Sequence, residues 1–282
     1  MIIKINRVIT LSILAILLLS GTLSFFAFHN VYAKEPEGIK VPIIMYHSVL
    51  NSNNGKYVIS PAKLEDDLKY IKDNGYTTIT MTDLIAYVEG GKPLPAKPII
   101  LTFDDGFYNN YYYAVPLLQK YNMKAVISVV GKYTDDYSES NIVNINYSNL
   151  RWADINMLIP DGTIEFQSHS YNLHTTQGRN GAKKKLGESL THYKEVLTND
   201  VMKLQDEFQN NCYYTPNTFT YPFGAISKES DVILKELGFK ATLSCTEGIN
   251  YITRDPNCLF SLKRYNRSGL ATTEKFFAKV EK

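Results

Sequence analysis

Cysteine is scarce in this chain of 282 residues, and neither sign of charge dominates. The three cysteines, Cys212, Cys245 and Cys258, show no Cys-x-x-Cys spacing, which argues against a cysteine-ligated zinc site. In an exported protein two of them could form a disulfide, but the sequence does not assign the pair. The net charge of +2 lacks the strong basic field of nucleic-acid-binding proteins, so we expect no nucleic-acid partner.

Internal repeats, low-complexity tracts and the glycine-rich patterns of phosphate and dinucleotide loops are also absent, so nothing indicates a nucleotide cofactor. Tyrosine, in contrast, is abundant, with 21 residues. Tyrosine-rich surfaces suit sugars, but tyrosine is also common in cores and interfaces. Composition alone therefore leaves a sugar-binding function open.

The N-terminus predicts export. Lys4 and Arg7 precede an uncharged apolar stretch over 8–28, and Val31-Tyr32-Ala33 resembles a signal-peptidase site. The stretch also approaches the ~20 residues that span a bilayer, so an uncleaved anchor is the alternative. We expect a secreted or cell-surface protein, with membrane association through this segment as the alternative. The expected parts are a signal peptide or anchor over 1–33, a linker over 34–40 and a catalytic domain over 41–282.

Strand and helix patterns alternate along the rest of the chain, which predicts parallel βαβ units. About seven or eight strands favour a barrel over an open sheet, although periodicity does not separate the two. Strands are predicted over 41–47, 76–80, 98–103, 124–130, 163–167, 218–221, 239–243 and 259–263. Helices are predicted over 61–75, 82–89, 111–121, 148–158, 181–211, 227–237 and 272–280.

Polar residues follow several predicted strands, and in α/β folds the active site gathers at those strand ends. Of the five histidines, three lie at such positions. The strand-end residues are His47, Asp104, Asp105, Ser168, His169, His174, Pro222, Phe223, Gly224 and Arg264.

Two histidines and an aspartate at these ends predict a divalent metal site, because imidazole and carboxylate ligands with an open position are typical of catalytic zinc. Asp104 and Asp105 need not point the same way on a loop. One could bind the metal while the other takes a proton from water. The alternatives are ordinary hydrogen-bonded histidines and a turn or helix cap at Asp-Asp-Gly.

Three segments resemble, in order, motifs of the polysaccharide deacetylases, carbohydrate esterase family four. They are Leu101–Gly106 (LTFDDG), Glu165–His174 (EFQSHSYNLH) and Thr220–Gly224 (TYPFG), and the resemblance extends from about Val41 to the C-terminus. The opening VPIIMYHSV is similar to the branch that contains poly-N-acetylglucosamine deacetylases.

The resemblance implies a distorted (β/α) barrel of about seven strands and metal-dependent hydrolysis of N-acetyl groups. The implied substrate is an acetylated amino-sugar polysaccharide of exopolysaccharide, peptidoglycan or chitin-like type. By position, Asp104 would be the general base, Asp105, His169 and His174 would hold the metal, usually zinc, and the Phe223 N–H would help stabilise the oxyanion. Trp152 would be a pocket-wall residue, its alternative being a core residue, and Tyr221 and Pro222 would also contact substrate.

Two features depart from the family pattern. No histidine follows His192, so the late Leu-x-His general acid is missing. We predict that His47 serves as the acid or orients the proton path, the alternative being a structural histidine. Arg264 is predicted to pair with Asp104 and hold it ionised, the alternative being a surface arginine.

Two other functions fit the same motifs. An esterase that removes O-acetyl groups shares the oxyanion chemistry and needs less help from an acid. A carbohydrate-binding protein that has lost turnover would explain the missing histidine, although the complete set of motif residues argues against it. Four tyrosines after Asp105 could line a sugar groove or pack a helix: Tyr108, Tyr111, Tyr112 and Tyr113.

Overall fold

A computed structural model describes residues 37–51 and 54–281, and all structural statements refer to them. Most of the segment predicted to direct export or anchoring, together with the first linker residues, lies outside the described residues. Among the helices that are described, none combines the length and apolar character needed to cross a bilayer. Ile39 and Lys40, which were assigned to the linker, lie in the first strand.

Short strands alternate with helices along the chain. The strands are β1 (Ile39–Val41), β2 (Ile43–Tyr46), β3 (Ser48–Val49), β4 (Val58–Ile59), β5 (Thr77–Thr78), β6 (Pro98–Phe103), β7 (Ala125–Val129), β8 (Ile164–Ser168), β9 (Thr218–Thr220), β10 (Ala241–Leu243), β11 (Asn250–Ile252) and β12 (Tyr265–Asn266). The α-helices are α1 (Pro61–Asp73), α2 (Met81–Gly90), α3 (Val115–Tyr121), α4 (Gly131–Ser140), α5 (Trp152–Leu158), α6 (Leu190–Cys212), α7 (Ser230–Glu236) and α8 (Thr273–Val280).

Seven of these strands form one parallel sheet in the order β10-β9-β8-β7-β6-β2-β12, and β5 also pairs with β6. A further parallel bridge joins Leu243 of β10 to Leu262, just before β12. The segment from Leu262 to Asn266 therefore contacts strands at both ends of the sheet. This arrangement confirms the predicted distorted (β/α) barrel of about seven strands.

The two faces of the sheet carry different cores because side chains alternate along a strand. On β6, Ile99, Leu101 and Phe103 pack in the layer between sheet and helices. Ile100 instead joins a cluster with Ile43 of β2, residues of β7 and β10, and helix α2. Since β2 and β10 are far apart in the strand order, the sheet curves around this second cluster, and α2 closes one end of the barrel.

Helix ends follow local capping signals. The Ser60 hydroxyl accepts from the Lys63 N–H, and Pro61 occupies the first turn of α1, where its missing N–H costs nothing. Helix α2 begins with a reciprocal capping box between Thr80 and Asp83. These starts match the predicted ones to within a residue.

Three predicted elements are wrong. The helix predicted from 148 begins at Trp152, because Ser148 is buried in a turn where its hydroxyl accepts from the Asn144 N–H. The helix predicted from 181 begins at Leu190, capped by Ser189, so the lysines at 183–185 lie in a loop. The strand predicted over 259–263 is interrupted by left-handed Ser261.

Helix α4 was not predicted, and all three cysteines are free.

Candidate active site

The two aspartates that follow β6 are directed to different partners by an abrupt change in the backbone. Asp104 continues the strand, and its N–H donates to the carbonyl of Tyr46 at 3.0 Å. Asp105 and Gly106 are both left-handed, with φ of 71° and 68°. A Cβ at position 106 would lie 2.9 Å from Cγ1 of Val129, so only glycine fits. The chain thus turns directly after Asp104, and the two carboxylates lie in separate clusters.

A neighbouring loop holds Asp105 in its unusual conformation. Nδ2 of Asn149 donates to the Asp105 carbonyl at 2.7 Å, and the Leu150 N–H donates to the Gly106 carbonyl at 2.8 Å. A left-handed residue other than glycine costs about 1 kcal/mol or more, which these bonds offset. Asn149 was not among the predicted site residues, and no motif marks it.

Asp105, His169 and His174 form a candidate metal centre. Oδ1 of Asp105 lies 3.4 Å from Nε2 of His169 and 3.1 Å from Nε2 of His174. One ligand atom from each residue lies within 4.8 Å of the others. Burial opposes ionisation of Asp105, but hydrogen bonds from both imidazoles outweigh it and hold its pKa well below the usual range. A carboxylate and two imidazoles that face a common point fit a divalent cation.

A backbone hydrogen bond fixes the orientation of His169. Its Nδ1 lies 2.8 Å from the carbonyl oxygen of Thr220, at the end of β9. Because a carbonyl can only accept, Nδ1 carries a proton, so the neutral ring that forms when Nε2 releases its proton leaves Nε2, on the Asp105 side, free for a cation. This is the tautomer that a metal ligand requires.

Asp200 of α6 anchors the loop between the two histidines. Its carboxylate accepts from the N–H groups of Tyr171 at 2.9 Å and Asn172 at 2.7 Å. With Ser170 left-handed, the loop reverses and places the rings of His169 and His174 with centroids 5.2 Å apart. Sequence reasoning missed Asp200, because it belongs to a helix remote in sequence from both histidines.

Arg264 pairs with Asp104 inside the barrel. Its Nη1 and Nη2 donate to the two carboxylate oxygens at 2.7 and 2.8 Å, and its Nε donates to the Ser244 carbonyl. Both side chains are almost fully buried. Burial alone would raise the pKa of Asp104, but the guanidinium outweighs it and keeps that pKa below its ordinary value. Asp104 is therefore held as a carboxylate beside the candidate metal centre.

His47 follows β2 and lines a cavity that Asp104 and Asp105 also line. Its ring contacts that of Tyr57, with centroids 4.7 Å apart, and its Nδ1 is buried without a hydrogen-bond partner in the described part of the chain. Burial lowers the pKa of His47, although Asp104 and Asp105 act in the opposite direction. The neutral form of the His47 imidazole is thus favoured over the protonated form unless a bound ligand or another group supplies a proton.

Phe223 follows β9 and lines the same cavity as His47. It is left-handed, with φ of 57°, and its half-exposed ring contacts that of His174 at 4.4 Å between centroids. Gly224 follows with its backbone close to Cys245, where a Cβ would come within 2.7 Å of the cysteine Cβ. Tyr221 is fully buried and donates from its hydroxyl to Asp231, so it supports this turn from behind.

Trp152 lies in the hydrophobic core, away from the cavity. Its ring packs edge-on against Phe208, and its Nε1 donates to Asp135 at 2.8 Å. Asp135 also accepts from the hydroxyl of Tyr171, in the loop between the two histidines. The structure thus does not bring Trp152, Tyr221 or Pro222 to the cavity wall. The four tyrosines after Asp105 do not reach the wall either: three pack against the main core and Tyr112 is half exposed.

The remaining predicted residues meet at one cavity of about 630 Å³ at the carboxyl ends of the strands. His47, Asp104, Asp105, His169, His174 and Phe223 line it, and Arg264 lies directly behind Asp104. Tyr57, Cys245 and Glu247 also line the cavity and were not predicted, because they lie in short loops without a periodic pattern.

Comparison with known proteins identifies the family of the chain and relatives of its fold. A family model described as polysaccharide deacetylase matches residues 91–242, which is more than half of the chain. Among solved structures, the Streptococcus pyogenes deacetylase PplD in complex with acetate has a TM-score of 0.70 at 22% identity. That superposition covers 87% of this chain and 100% of PplD.

Two curated relatives carry the name poly-beta-1,6-N-acetyl-D-glucosamine N-deacetylase. The protein from Escherichia coli (strain K12) is 24% identical over 244 residues, covering 77% of this chain and 36% of the relative. The protein from Staphylococcus aureus (strain MSSA476) is 24% identical over 191 residues, covering 68% and 62%. The matched region thus spans about a third of the E. coli relative's length.

Proposed function

The chain belongs to the polysaccharide deacetylase family, and we propose that it is a metal-dependent hydrolase that removes N-acetyl groups from an N-acetylglucosamine polysaccharide. The observation that carries the proposal is the placement of Asp104, a buried carboxylate held by Arg264, beside the three converging donors of the Asp105 cluster. A base and a cation site on adjacent residues can together activate water for the hydrolysis of an unactivated amide.

Asp105, His169 and His174 would hold the metal, which we propose to be zinc from the mixed nitrogen and oxygen donors. A cation bound there supplies Lewis-acid polarisation of the acetyl carbonyl and acidifies water. Thr220 and Asp200 support this role, since they fix the tautomer of His169 and the loop that returns His174.

Asp104 would take the proton from the attacking water. Its carboxylate is already ionised and already positioned by two hydrogen bonds from Arg264, so no reorganisation is needed before attack. The Phe223 N–H would donate to the oxyanion as the acetyl carbon becomes tetrahedral.

His47 would deliver a proton to the departing amine. It borders the cavity next to the two aspartates, and it is the one remaining histidine of the cavity outside the metal centre. Because burial lowers the pKa of His47, its ring is neutral at rest, so the proton that it passes to the amine would be the one that Asp104 takes from the attacking water, and Asp104 would return to its carboxylate form. This would replace the late histidine that the chain lacks.

We propose poly-β-1,6-N-acetylglucosamine as the polysaccharide, on the strength of the two relatives that bear that name. The exported location predicted from the N-terminal sequence suits a polysaccharide substrate that lies outside the cell. Peptidoglycan, chitin-like polymers and O-acetylated polysaccharides are the competing substrates.

Acetate release by the purified protein tests the proposal. The substrates are β-1,6-linked and β-1,4-linked N-acetylglucosamine oligomers and O-acetylated xylan, each assayed before chelation, after chelation and after zinc is restored. We expect release from the β-1,6-linked oligomer that stops with chelator and returns with zinc. Release from acetylated xylan alone would identify an O-acetyl esterase. Zinc binding without any release would point to a different polymer or ester as substrate, or to a protein that only binds sugar.

A further inference from the structure

We propose that Tyr57 is the stacking platform of a sugar subsite on the His47 side of the cavity, where one pyranose ring of the substrate packs against the phenol. This subsite rests on the proposed function, because the ligand is a sugar of the polysaccharide that is deacetylated. Nothing in the family motifs includes Tyr57, and it lies in a segment that sequence reasoning left unassigned.

Tyr57 combines exposure to solvent with a place on the wall of the catalytic cavity. The residue lines the catalytic cavity with Asp104 and Asp105, yet 47% of its surface is open. Its ring contacts that of His47 at an interplanar angle of 54°, and Nζ of Lys56 lies over the ring, 5.0 Å from its centroid. An apolar ring left open beside reacting groups is suited to the apolar face of a ligand.

The backbone beneath Tyr57 is fixed, so the ring is organised before substrate arrives. The carbonyl of Tyr57 accepts from the Ser48 N–H at 3.1 Å, and β4, which begins at the next residue, pairs with β3. Nδ2 of Asn266 donates to the Lys56 carbonyl at 3.1 Å. At Gly269 a Cβ would lie 2.1 Å from the Val58 carbonyl oxygen, so glycine allows the C-terminal segment to pack against this loop. A platform held in this way loses little entropy on binding.

The surroundings of Tyr57 complete a sugar site. Ser48, Lys56, Glu247 and Asn266 also line the cavity and offer donors and acceptors for hydroxyl groups. A pyranose presents apolar C–H faces and equatorial hydroxyls. Its C–H face can therefore stack on an aromatic ring while its hydroxyls form hydrogen bonds with polar side chains around that ring. On the far side of the two aspartates, the half-exposed ring of Phe223 borders the same cavity. The acetyl group at the metal centre would thus lie between two aromatic walls, with Tyr57 receiving the adjoining sugar.

The competing account is that Tyr57 merely packs against His47. Three variants separate the accounts: Tyr57→Phe keeps the ring, Tyr57→Leu keeps apolar bulk, and Tyr57→Ala removes both. Tyr112→Ala is the matched control, because Tyr112 is 51% exposed but does not line the cavity.

The experiment measures, by calorimetry, the binding of a β-1,6-linked N-acetylglucosamine oligomer to the zinc-loaded protein. The parent is the Asp104→Asn variant, and thermal melting confirms that each sample is folded. We expect Tyr57→Ala and Tyr57→Leu to weaken binding about tenfold, the loss of roughly one good aromatic contact. Tyr57→Phe and Tyr112→Ala should bind as the parent does. In the wild-type background, Tyr57→Ala should raise KM by more than it lowers kcat.

Unchanged oligomer affinity in Tyr57→Ala, or an equal loss in Tyr57→Phe, would overturn the subsite. Wild-type acetate release is measured in parallel to separate the two claims. Release with unaltered Tyr57→Ala binding refutes the subsite and leaves the deacetylase intact. Tyr57-dependent binding without any acetate release refutes the deacetylase and supports the subsite. If the parent binds no oligomer, the subsite is refuted.

Discussion

Replacing Arg264 by methionine should both destabilise the protein and abolish turnover. The change keeps an unbranched stem and removes the fork that donates to Asp104 at 2.7 and 2.8 Å. Removing one partner of a buried pair typically costs about 3–5 kcal/mol, because the other charge is left uncompensated. The Ser244 carbonyl, which accepts from Arg264 Nε, also loses its donor.

A second route to the magnitude gives a similar value. Without Arg264, the buried Asp104 can become neutral by binding a proton. Protonation of an ordinary aspartate at pH 7 costs about 4 kcal/mol. The free energy of unfolding of Arg264→Met should therefore fall by about 4 kcal/mol. A protonated Asp104 is no base, so acetate release should be lost as well.

Two companion variants identify the cause. Arg264→Lys retains a charge but cannot donate to both oxygens in parallel, so its stability should lie between those of wild type and Arg264→Met. The double variant Asp104→Asn/Arg264→Met removes both charges, and it should be more stable than the sum of the two single losses implies. Arg254→Met, at an exposed arginine, is the control and should change stability by less than about 1 kcal/mol.

Urea unfolding at pH 7 and acetate release are the two assays. The reasoning fails if Arg264→Met unfolds within about 1 kcal/mol of wild type, or if it retains wild-type turnover. It also fails if the double variant is no more stable than the sum of the single losses, because then no pairing energy exists between Arg264 and Asp104.

Three further predictions concern the supports of the site. Burial raises the pKa of Asp200 from 3.8 to about 6, so the stability associated with its protonated form is lost as pH rises through that value. Between pH 4 and 7 the free energy of unfolding of the wild type should fall by about 3 kcal/mol through this group, and that of Asp200→Asn should not, as measured by urea unfolding. The same pH dependence in both proteins would contradict this. Trp152→Phe removes the donor to Asp135 and should cost about 1–2 kcal/mol of unfolding free energy; an unchanged melting temperature would show that this hydrogen bond contributes nothing. Gly106→Ala should cost at least about 1–3 kcal/mol by strain and by contact with Val129, and the double variant Gly106→Ala/Val129→Ala should lose less stability than the sum of the two single losses; additive losses would exclude the contact as the cause.

The sequence was most informative where burial alone decides the structure. The strand Pro98–Phe103 was predicted at its observed bounds, because a continuous apolar run that is buried on both faces has no alternative location. Its carboxyl end then placed Asp104 and Asp105 at the cavity. The convergence of Asp105, His169 and His174 followed from parallel strands that all end at one edge.

Sequence reasoning failed where tertiary contacts override local preference. Helix α4 has the polar sequence GKYTDDYSES, which lacks an apolar stripe, and it was missed. Ser148 has the composition of a helix cap but is used in a buried turn. Trp152 sits near family motifs, yet its ring is in the core and only its Nε1 acts towards the site, through Asp135. Such indirect roles leave no local pattern in one sequence.

The division of labour between the two adjacent aspartates is the central claim, and one paired measurement tests it directly. Zinc content and acetate release would be measured on the same samples of wild type, Asp104→Asn and Asp105→Asn, each checked for folding by thermal melting. We predict that Asp104→Asn retains zinc and loses acetate release, whereas Asp105→Asn loses both. An Asp104→Asn protein that still releases acetate, or an Asp105→Asn protein that still binds zinc with wild-type affinity, would contradict the account.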